Sequence, residues 1–375
     1  MTQMEQLPDS AETITAAWLT DVLRSTGTIQ SATVSQIRLE PIGDVAGFMG
    51  EITRVFLYYD LPEETAPRTL IAKFPTTDRR LRAALAVNRL YEREVRFYQD
   101  VASQIKMRIP HCYFSTIDDS GQNPLLLLED LAPAQVGDQI AGCTAAEAQL
   151  AIVGVAKLHA AFWNSPDLKK FDWARVISSP DRMDQKAYQQ YKWPRFFEKL
   201  GPYLSDLILD VTREYGELMP EIARRMGDQP QTMIHGDYRL DNLFFNQSGE
   251  GVPFAAIDWQ TMKLGSGTCD VAYFLSDNLK VELRRAEELN LLHQYHRTLL
   301  EQGVPDYSFA QCLADYRLSF FFRVHILVEG GFLFDFSDRR QAELMEVRLR
   351  RLSAILEDQD ILGLLASIRN NSSAL

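Results

Sequence analysis

The chain lacks a surplus of positive charge. Thirty-nine lysines and arginines stand against 51 aspartates and glutamates among 375 residues, a formal charge of −12. Binding along a nucleic-acid backbone or an anionic membrane requires surplus cations, so neither partner is expected. Phosphate chemistry would have to come from a local site or a metal ion. Long apolar runs are missing too: the most apolar stretch, 318–328, is interrupted by Arg323 and His325 and is too short to span a bilayer. The opening MTQMEQLPDSAETITAAW has neither the basic nor the apolar segment of a secretory signal. Cysteine is sparse: Cys112, Cys143, Cys269 and Cys312 lie far apart with no C-x-x-C pair, which reads as reduced core thiols rather than a disulfide or zinc framework. Together these absences lead to the expectation of a soluble cytoplasmic protein. No repeat stands out, and only the tail, NNSSAL, has the composition of a disordered end.

What is present is ordinary globular composition, 46% hydrophobic and 24% charged. The length suits one large two-lobed domain or two of ordinary size, at roughly 150 residues each. A helix is predicted around 15–24, with Trp18, Leu19, Val22 and Leu23 on one face and Gly27 near its stop. Three β-like segments follow, 34–42, 52–59 and 69–74, rich in Val, Ile, Phe and Tyr. A long helical pattern covers about 79–101, and two more β-like segments surround Tyr113 and the run 124–128. After Pro133 the pattern is mostly helical. The expectation is therefore an α+β chain, a small β-rich N-lobe over 1–131 joined near 129–132 to a larger helical C-lobe over 132–375.

The second lobe opens on a capping box, Thr144-x-x-Glu147. Ala148, Ile152, Val155, His159 and Phe162 then form one helical stripe, on which His159 reads as a hydrogen-bonded core histidine. His293 and His296 lie three apart on a polar helix with no third ligand nearby, so no zinc site is expected there.

Chemistry concentrates in two blocks. His235-Gly236-Asp237-Tyr238-Arg239-Leu240-Asp241-Asn242 is a polar loop between apolar segments, and Phe254-Ala255-Ala256-Ile257 leads directly into Asp258-Trp259-Gln260. Asp237, Asn242 and Asp258 thus gather hard oxygen atoms on loops at strand ends, a donor set that suits Mg²⁺. Upstream, Lys73 sits among Leu70, Ile71, Ala72 and Phe74, where an ammonium needs an anionic partner. Val87, Tyr91, Glu94, Tyr98 and Val101 share a helical stripe, so Glu94 is the inward carboxylate, while Glu92 faces away with Asn88 and Arg96. The rival reading is two unrelated charges snorkelling at the edge of the core.

H-x-D-x-x-x-x-N followed by an apolar strand and Asp resembles the catalytic and metal loops of the protein-kinase-like superfamily. The H-G-D and I-D-W-Q forms resemble its aminoglycoside phosphotransferase and choline kinase-like branch. With G-x-G-x-x-Asp270 following, the pattern looks most like the ecdysteroid kinase-like subgroup. The stretch H-G-D-Y-R-L-D-N-L also resembles phosphotransferase domains fused to some acyl-CoA dehydrogenases. The resemblance implies a two-lobe kinase fold using ATP and Mg²⁺. Asp237 would orient the acceptor hydroxyl and take its proton. Asn242 and Asp258 would hold the metal, and Lys73, fixed by Glu94, would hold the α- and β-phosphates. Backbone groups of Glu129 and Leu131 would meet the adenine edge. Arg239 would face the transferring phosphoryl group or form a structural ion pair. Gly43, Gly47 and Gly50 occupy the place of a phosphate-covering loop, Gly47 being the candidate contact. Their spacing, G-x-x-x-G-x-x-G, departs from the usual G-x-G-x-x-G, and turns are the other use for them. Asp270 reads as an N-cap rather than a catalytic group.

Asp258 and Asp270 are twelve positions apart and no A-P-E follows, which leaves no room for the activation segment of a protein kinase. The expected acceptor is therefore a small-molecule hydroxyl. Trp163, Phe171, Trp173, Tyr188, Tyr191, Trp193, Phe196, Phe197 and Tyr203 would line a pocket for an apolar ring or acyl alcohol, or else serve as ordinary core. An aminoglycoside or hydroxyacyl-CoA acceptor is compatible with the same fold. Readings from other classes are an inactive nucleotide-binding relative and a metal-dependent hydrolase built on Asp237, Asp258 and a histidine. Residues beyond 280 read as helices without a chemical signature.

Overall fold

The structure is a computed structural model that describes residues 7–42, 50–178, 188–246, 253–331 and 334–372. The chain divides into two compact units. Unit one comprises Met1–Gln104, Arg108–Ala134 and Ala256–Thr261; unit two comprises Ile105–Met107, Gln135–Ala255 and Met262–Leu375.

In unit one, α1 (Ala16–Ser25) starts at Thr15, whose hydroxyl accepts the Trp18 amide at 3.1 Å. Five strands follow, β1 (Val34–Pro41), β2 (Gly50–Tyr59), β3 (Thr69–Pro75), β4 (Cys112–Ile117) and β5 (Pro124–Glu129). They pair antiparallel in the order β1-β2-β3-β5-β4. Alternation along β3 and β5 sends Leu70, Ala72, Phe74, Leu125 and Leu127 to one face of the sheet, where they meet Trp18, Leu19, Val22 and Leu23 of α1. The residues between them face the other way, and that face carries the site.

The helical pattern over 79–101 is not one helix. The chain forms α2 (Arg79–Val87), turns at Asn88 and Arg89, and resumes as α3 (Leu90–Arg96), which runs into a π turn at Phe97–Val101. Arg89 adopts φ 55°, a left-handed conformation that ends the first helix. Arg93 folds its side chain back to donate to the carbonyls of Asn88 and Arg89. The break removes Val87 from the inward stripe and leaves it 82% exposed, whereas Tyr91, Glu94, Tyr98 and Val101 are buried. Hydrophobic spacing alone did not register the interruption, because four of the five stripe residues, Tyr91 to Val101, follow the turn and only Val87 precedes it.

Unit two begins with the short β6 (Gln135–Val136) and α4 (Ala145–Ala161), which carries the expected capping box: Thr144 and Glu147 exchange side-chain and backbone hydrogen bonds. Next come β7 (Arg175–Val176), α5 (Trp193–Leu200), α6 (Asp206–Asp228), β8 (Thr232–Ile234), β9 (Leu243–Phe245), β10 (Phe254–Ala256) and β11 (Lys263–Gly265). The chain ends in α7 (Thr268–Asn278), α8 (Val281–Glu301), α9 (Phe309–Gly330), α10 (Arg339–Asp358) and α11 (Ile361–Ser372). The short strands form two three-stranded sheets, β10-β9-β6 and β7-β11-β8, that fix both ends of the loop 235–242. Phe171, Trp173, Tyr188 and Phe196 are buried, so these aromatics are core residues, while Tyr191 and Tyr203 are exposed. All four cysteines are free thiols. No helix among the described residues is long and apolar enough to cross a membrane.

One substitution separates the broken helix from a continuous one, and a second, on β5, calibrates the loss expected at a buried position. Leu127→Ala, at a fully buried position, should cost about 2–5 kcal/mol in chemical denaturation. Val87→Lys should change stability by no more than about 0.5 kcal/mol, whereas an unbroken inward stripe requires a large loss.

Candidate active site

Lys73 lies on the face of β3 opposite the α1 core, with Ile52 and Leu126 as its cross-strand neighbours. α3 covers this face and places Glu94, almost fully buried, so that Lys73 Nζ donates to Glu94 Oε1 at 2.6 Å. Glu92 points elsewhere and pairs with Arg89 at 2.7 Å. The third charge of unit one comes from a distant part of the chain. Trp259 stacks on Phe97 with ring centroids 3.9 Å apart and planes 5° from parallel, which draws Ala256–Thr261 into unit one although sequence order suggested the helical lobe. Asp258 thereby comes to 3.9 Å from Lys73 Nζ through Oδ1. Its backbone is left-handed, φ 66°, a conformation a non-glycine residue holds only when its surroundings fix it. Gln260 Nε2 donates to Asp258 Oδ2 at 3.1 Å, while Oδ1 is buried with no hydrogen-bond partner. Burial works to lower the Lys73 pKa, but the Glu94 and Asp258 carboxylates outweigh it and hold the ammonium above its usual range.

The other unit-one candidates are tied down locally. The Glu129 carboxylate accepts from Arg108 and from the His111 amide. Asp130 pairs with Arg54 at 2.6 Å, and the carbonyl of buried Leu131 accepts the Ala134 amide at 2.9 Å. Gly47 and Gly43 lie outside the described residues; Gly50 opens β2, where an added Cβ would fall 2.6 Å from the Phe74 carbonyl oxygen.

In unit two the loop 235–242 hangs from α7. Asp270, fully buried in the first turn of that helix, accepts the amides of His235 at 2.7 Å and Gly236 at 2.9 Å. His159 Nε2 joins it at 3.2 Å, and His159 Nδ1 meets the Tyr295 hydroxyl at 2.9 Å. The N-cap position of α7 belongs to Gly267, so Asp270 is not the cap that the sequence suggested. It is the clamp of the loop, and His159 is the core histidine expected. Gly236, at φ 79°, makes the turn a β-carbon would obstruct. Further along, the Leu240 amide donates to Asn278 Oδ1 at 2.9 Å.

So suspended, Asp237 is surrounded by donors. Tyr273 Oη donates to its Oδ1 at 2.8 Å; Arg239 Nε and Asn242 Nδ2 donate to Oδ2 at 3.0 and 3.1 Å. Burial alone raises a carboxylate pKa, but the Arg239 guanidinium and the Tyr273 hydroxyl overcome it and hold Asp237 well below the ordinary range. Arg239 also pairs with Asp241 at 2.7 Å, so it stands between two carboxylates. Asn242 Nδ2 donates as well to the Asp237 carbonyl at 2.9 Å.

Behind Tyr273 lie residues that the sequence reading missed. Arg348 donates to the Tyr273 hydroxyl at 3.1 Å and to Asp277 at 2.7 Å; Arg323 grips Asp277 at 2.7 and 2.9 Å. Arg351 donates to the carbonyls of Gln139 and Asp277 at 2.6 and 2.7 Å. One signal was available: Arg323 interrupts FFFRVH on an apolar helix, the same logic that marks Lys73.

The sequence profile of the ecdysteroid kinase-like family matches residues 44–303. The chain belongs to the ecdysteroid kinase-like family. A mouse relative, acyl-CoA dehydrogenase family member 10, is 33% identical over 89 residues, covering 20% of this chain and 8% of that protein. The chain spans less than two thirds of the length of the curated relatives it matches. Among solved structures, choline kinase from Cryptosporidium parvum matches at TM-score 0.52 and 12% identity, covering 93% of this chain and 98% of that one. The microcompartment-associated aminopropanol kinase matches at TM-score 0.52 and 13% identity, covering 92% and 98%. These likenesses establish the kinase-like α+β fold of this family member, with a β-sheet N-terminal region and a helical C-terminal region.

The Asp270 clamp makes a prediction about acid stability. Burial opposes its ionisation, but the hydrogen bond and charge of His159 and the loop amides prevail and lower its folded pKa. Its contribution is therefore complete above the ordinary carboxylate range and is lost as pH falls toward the folded value. Asp270→Asn should cost about 3–5 kcal/mol at neutral pH, in line with breaking a buried pair. Denaturation at several pH values should also show a flatter acid limb for the variant.

Proposed function

We propose that this chain is an ATP- and Mg²⁺-dependent phosphotransferase that phosphorylates a hydroxyl group of a small molecule. The observation that carries the reading is the grouping of Lys73, Glu94 and Asp258, in which an ammonium is fixed by one carboxylate while the second, 3.9 Å away, presents a buried oxygen without a hydrogen bond. An oxygen taken from water without a hydrogen bond is costly, and a hard divalent cation is the partner that its chemistry suits. Asn242, whose Nδ2 is committed to Asp237, offers its amide oxygen as a second hard donor. Among the described residues no three His, Cys, Asp or Glu side chains gather into a protein-only metal cage. Mg²⁺ does not need one, because it commonly takes one or two protein carboxylates with waters and substrate phosphates. Asp258 and Asn242 are the residues that would hold it, and the bound ion would supply neutralisation of phosphate charge.

The remaining roles belong to the chain itself. Lys73, held by Glu94, would bind the α- and β-phosphates. Asp237, ionised and aimed by three donors, would orient the acceptor hydroxyl and take its proton; its low pKa suits a proton transferred late, once the hydroxyl is already losing its bond to hydrogen. Arg239, paired with Asp237 and Asp241, would orient that base. Backbone groups at Glu129 and Leu131 would meet the nucleotide base, and Gly47 would cover the phosphates by its place in the sequence. Only eleven residues separate Asp258 from Asp270, and a 3₁₀ turn at Trp259–Thr261, β11 and the start of α7 occupy most of them, which argues for a small-molecule acceptor rather than a protein. The burial of Phe171, Trp173, Tyr188 and Phe196 withdraws the aromatic argument for a ring alcohol. The match to an acyl-CoA dehydrogenase family member makes a hydroxyacyl-CoA worth including beside aminoglycosides, choline, sugars and sterols.

An ATP-consumption screen of the full chain over those acceptors tests the proposal. Turnover should require Mg²⁺ and fall roughly 10²–10⁴-fold in Asp237→Asn. Asp258→Ala should abolish it, and Glu94→Ala should weaken it less. Full ATP-dependent activity in Asp258→Ala overturns the metal assignment. In thermal unfolding, a rise that needs both ATP and Mg²⁺ supports the kinase, while a rise with metal alone favours a hydrolase.

A further inference from the structure

The Tyr273 hydroxyl has one proton and two neighbours, Asp237 and Arg348. Arg348 has donors only, so its hydrogen bond to Tyr273 Oη must occupy an oxygen lone pair. The tyrosine proton is then committed to Asp237 Oδ1. Removing the guanidinium would free the hydroxyl to rotate away from that carboxylate. Arg348 in turn cannot drift, because its Nε is bound to Asp277 at 2.7 Å and Asp277 is itself gripped by Arg323. The Tyr273 ring lies within cation–π range of both guanidiniums, 5.2 Å from Arg323 and 5.9 Å from Arg348.

Charge reinforces the geometry. Asp277 faces two guanidiniums, so that cluster carries surplus positive charge. Arg239 faces two carboxylates, Asp237 and Asp241, so that cluster carries surplus negative charge. Tyr273 is the hydrogen-bonded link between them, and in a buried setting an opposite charge held this way is only weakly screened. Arg323 and Arg348 both lie beyond residue 303, where the family match ends.

We propose that Arg348, seated by Asp277 and Arg323, is a positioning residue that acts through the Tyr273 hydroxyl to orient the Asp237 carboxylate. The proposal rests on the reading of Asp237 as the base, but the hydrogen-bonded link is testable without turnover. Tyr273→Phe removes the hydroxyl and keeps the ring. Arg348→Met removes the donor and leaves Asp277 its paired Arg323. Thermal unfolding midpoints of Arg348→Met, Asp237→Asn and the double variant measure their coupling, first with Tyr273 present and then in the Tyr273→Phe background. Non-additive midpoint shifts that become additive once the hydroxyl is gone are expected. Additive shifts with Tyr273 present, or non-additivity that survives Tyr273→Phe, overturn the relay.

Where MgATP turnover is found, Arg348→Met and Tyr273→Phe should each lower kcat about tenfold to a hundredfold with KM for MgATP unchanged. The double variant should be no slower than either single one. A rise in KM with kcat unchanged, or losses that multiply, overturns the positioning role. Absence of turnover in the native chain with every acceptor counts against the phosphotransferase reading, while the coupling experiment still decides the link.

Discussion

An ammonium placed on the inner face of a strand must find a carboxylate, and unit one is organised around that requirement. An unpaired buried charge costs several kcal/mol, so Lys73 fixes where α3 has to lie. α3 meets the demand only because the chain breaks at Asn88 and Arg89 and restarts with Glu94 turned toward the sheet. The stack of Trp259 on Phe97 then fastens Asp258 beside the same lysine. Three charges from separate parts of the chain therefore share one apolar setting. Two of them satisfy each other, and the third is left with an open oxygen.

Unit two solves a different problem, that of holding an irregular loop still. Loop amides that leave a strand have no ladder to join and must be paired some other way. Here α7 supplies the partners. Asp270 takes two amides at the start of the loop, Asn278 takes a third, and Tyr273 reaches the side chain of Asp237. The helix is buried along its whole length, so these contacts do not compete with water. α9 and α10 add Arg323, Arg348 and Arg351 beneath it, which turns a polar loop into a platform with few free rotations.

Signals confined to a short window were readable from sequence. Strand alternation around Lys73, the capping box at Thr144, and the polar block 235–242 between apolar segments each show in a stretch of a dozen residues. Glu94 was readable over Glu92 because its stripe partners Tyr91, Tyr98 and Val101 all follow the turn, and the turn itself was not, because only Val87 lies before it. Asp270 was misread as a cap because its partners, His235 and Gly236, lie 35 and 34 residues away. Arg348 and Tyr273 are 75 residues apart, and nothing in either neighbourhood announces the other. Long-range pairing of buried charge is a property of the fold, and sequence patterns of 3.6 or 2 residues do not encode it.

The formal charge of −12 describes the outside of the molecule more than the inside. The buried charged side chains among the described residues are Arg93, Arg284, Arg323, Arg348 and Arg351 against Glu94, Asp270, Asp277 and Asp315. Cations slightly outnumber carboxylates in this set although carboxylates dominate the chain. A guanidinium tolerates burial better than an ammonium, since it is weakly hydrated and can donate to several acceptors at once. Carboxylates left at the surface keep their hydration at no folding cost. The acidity that argues against a nucleic-acid partner is therefore compatible with phosphate chemistry in the interior, where local pairing sets the field that a phosphate would meet.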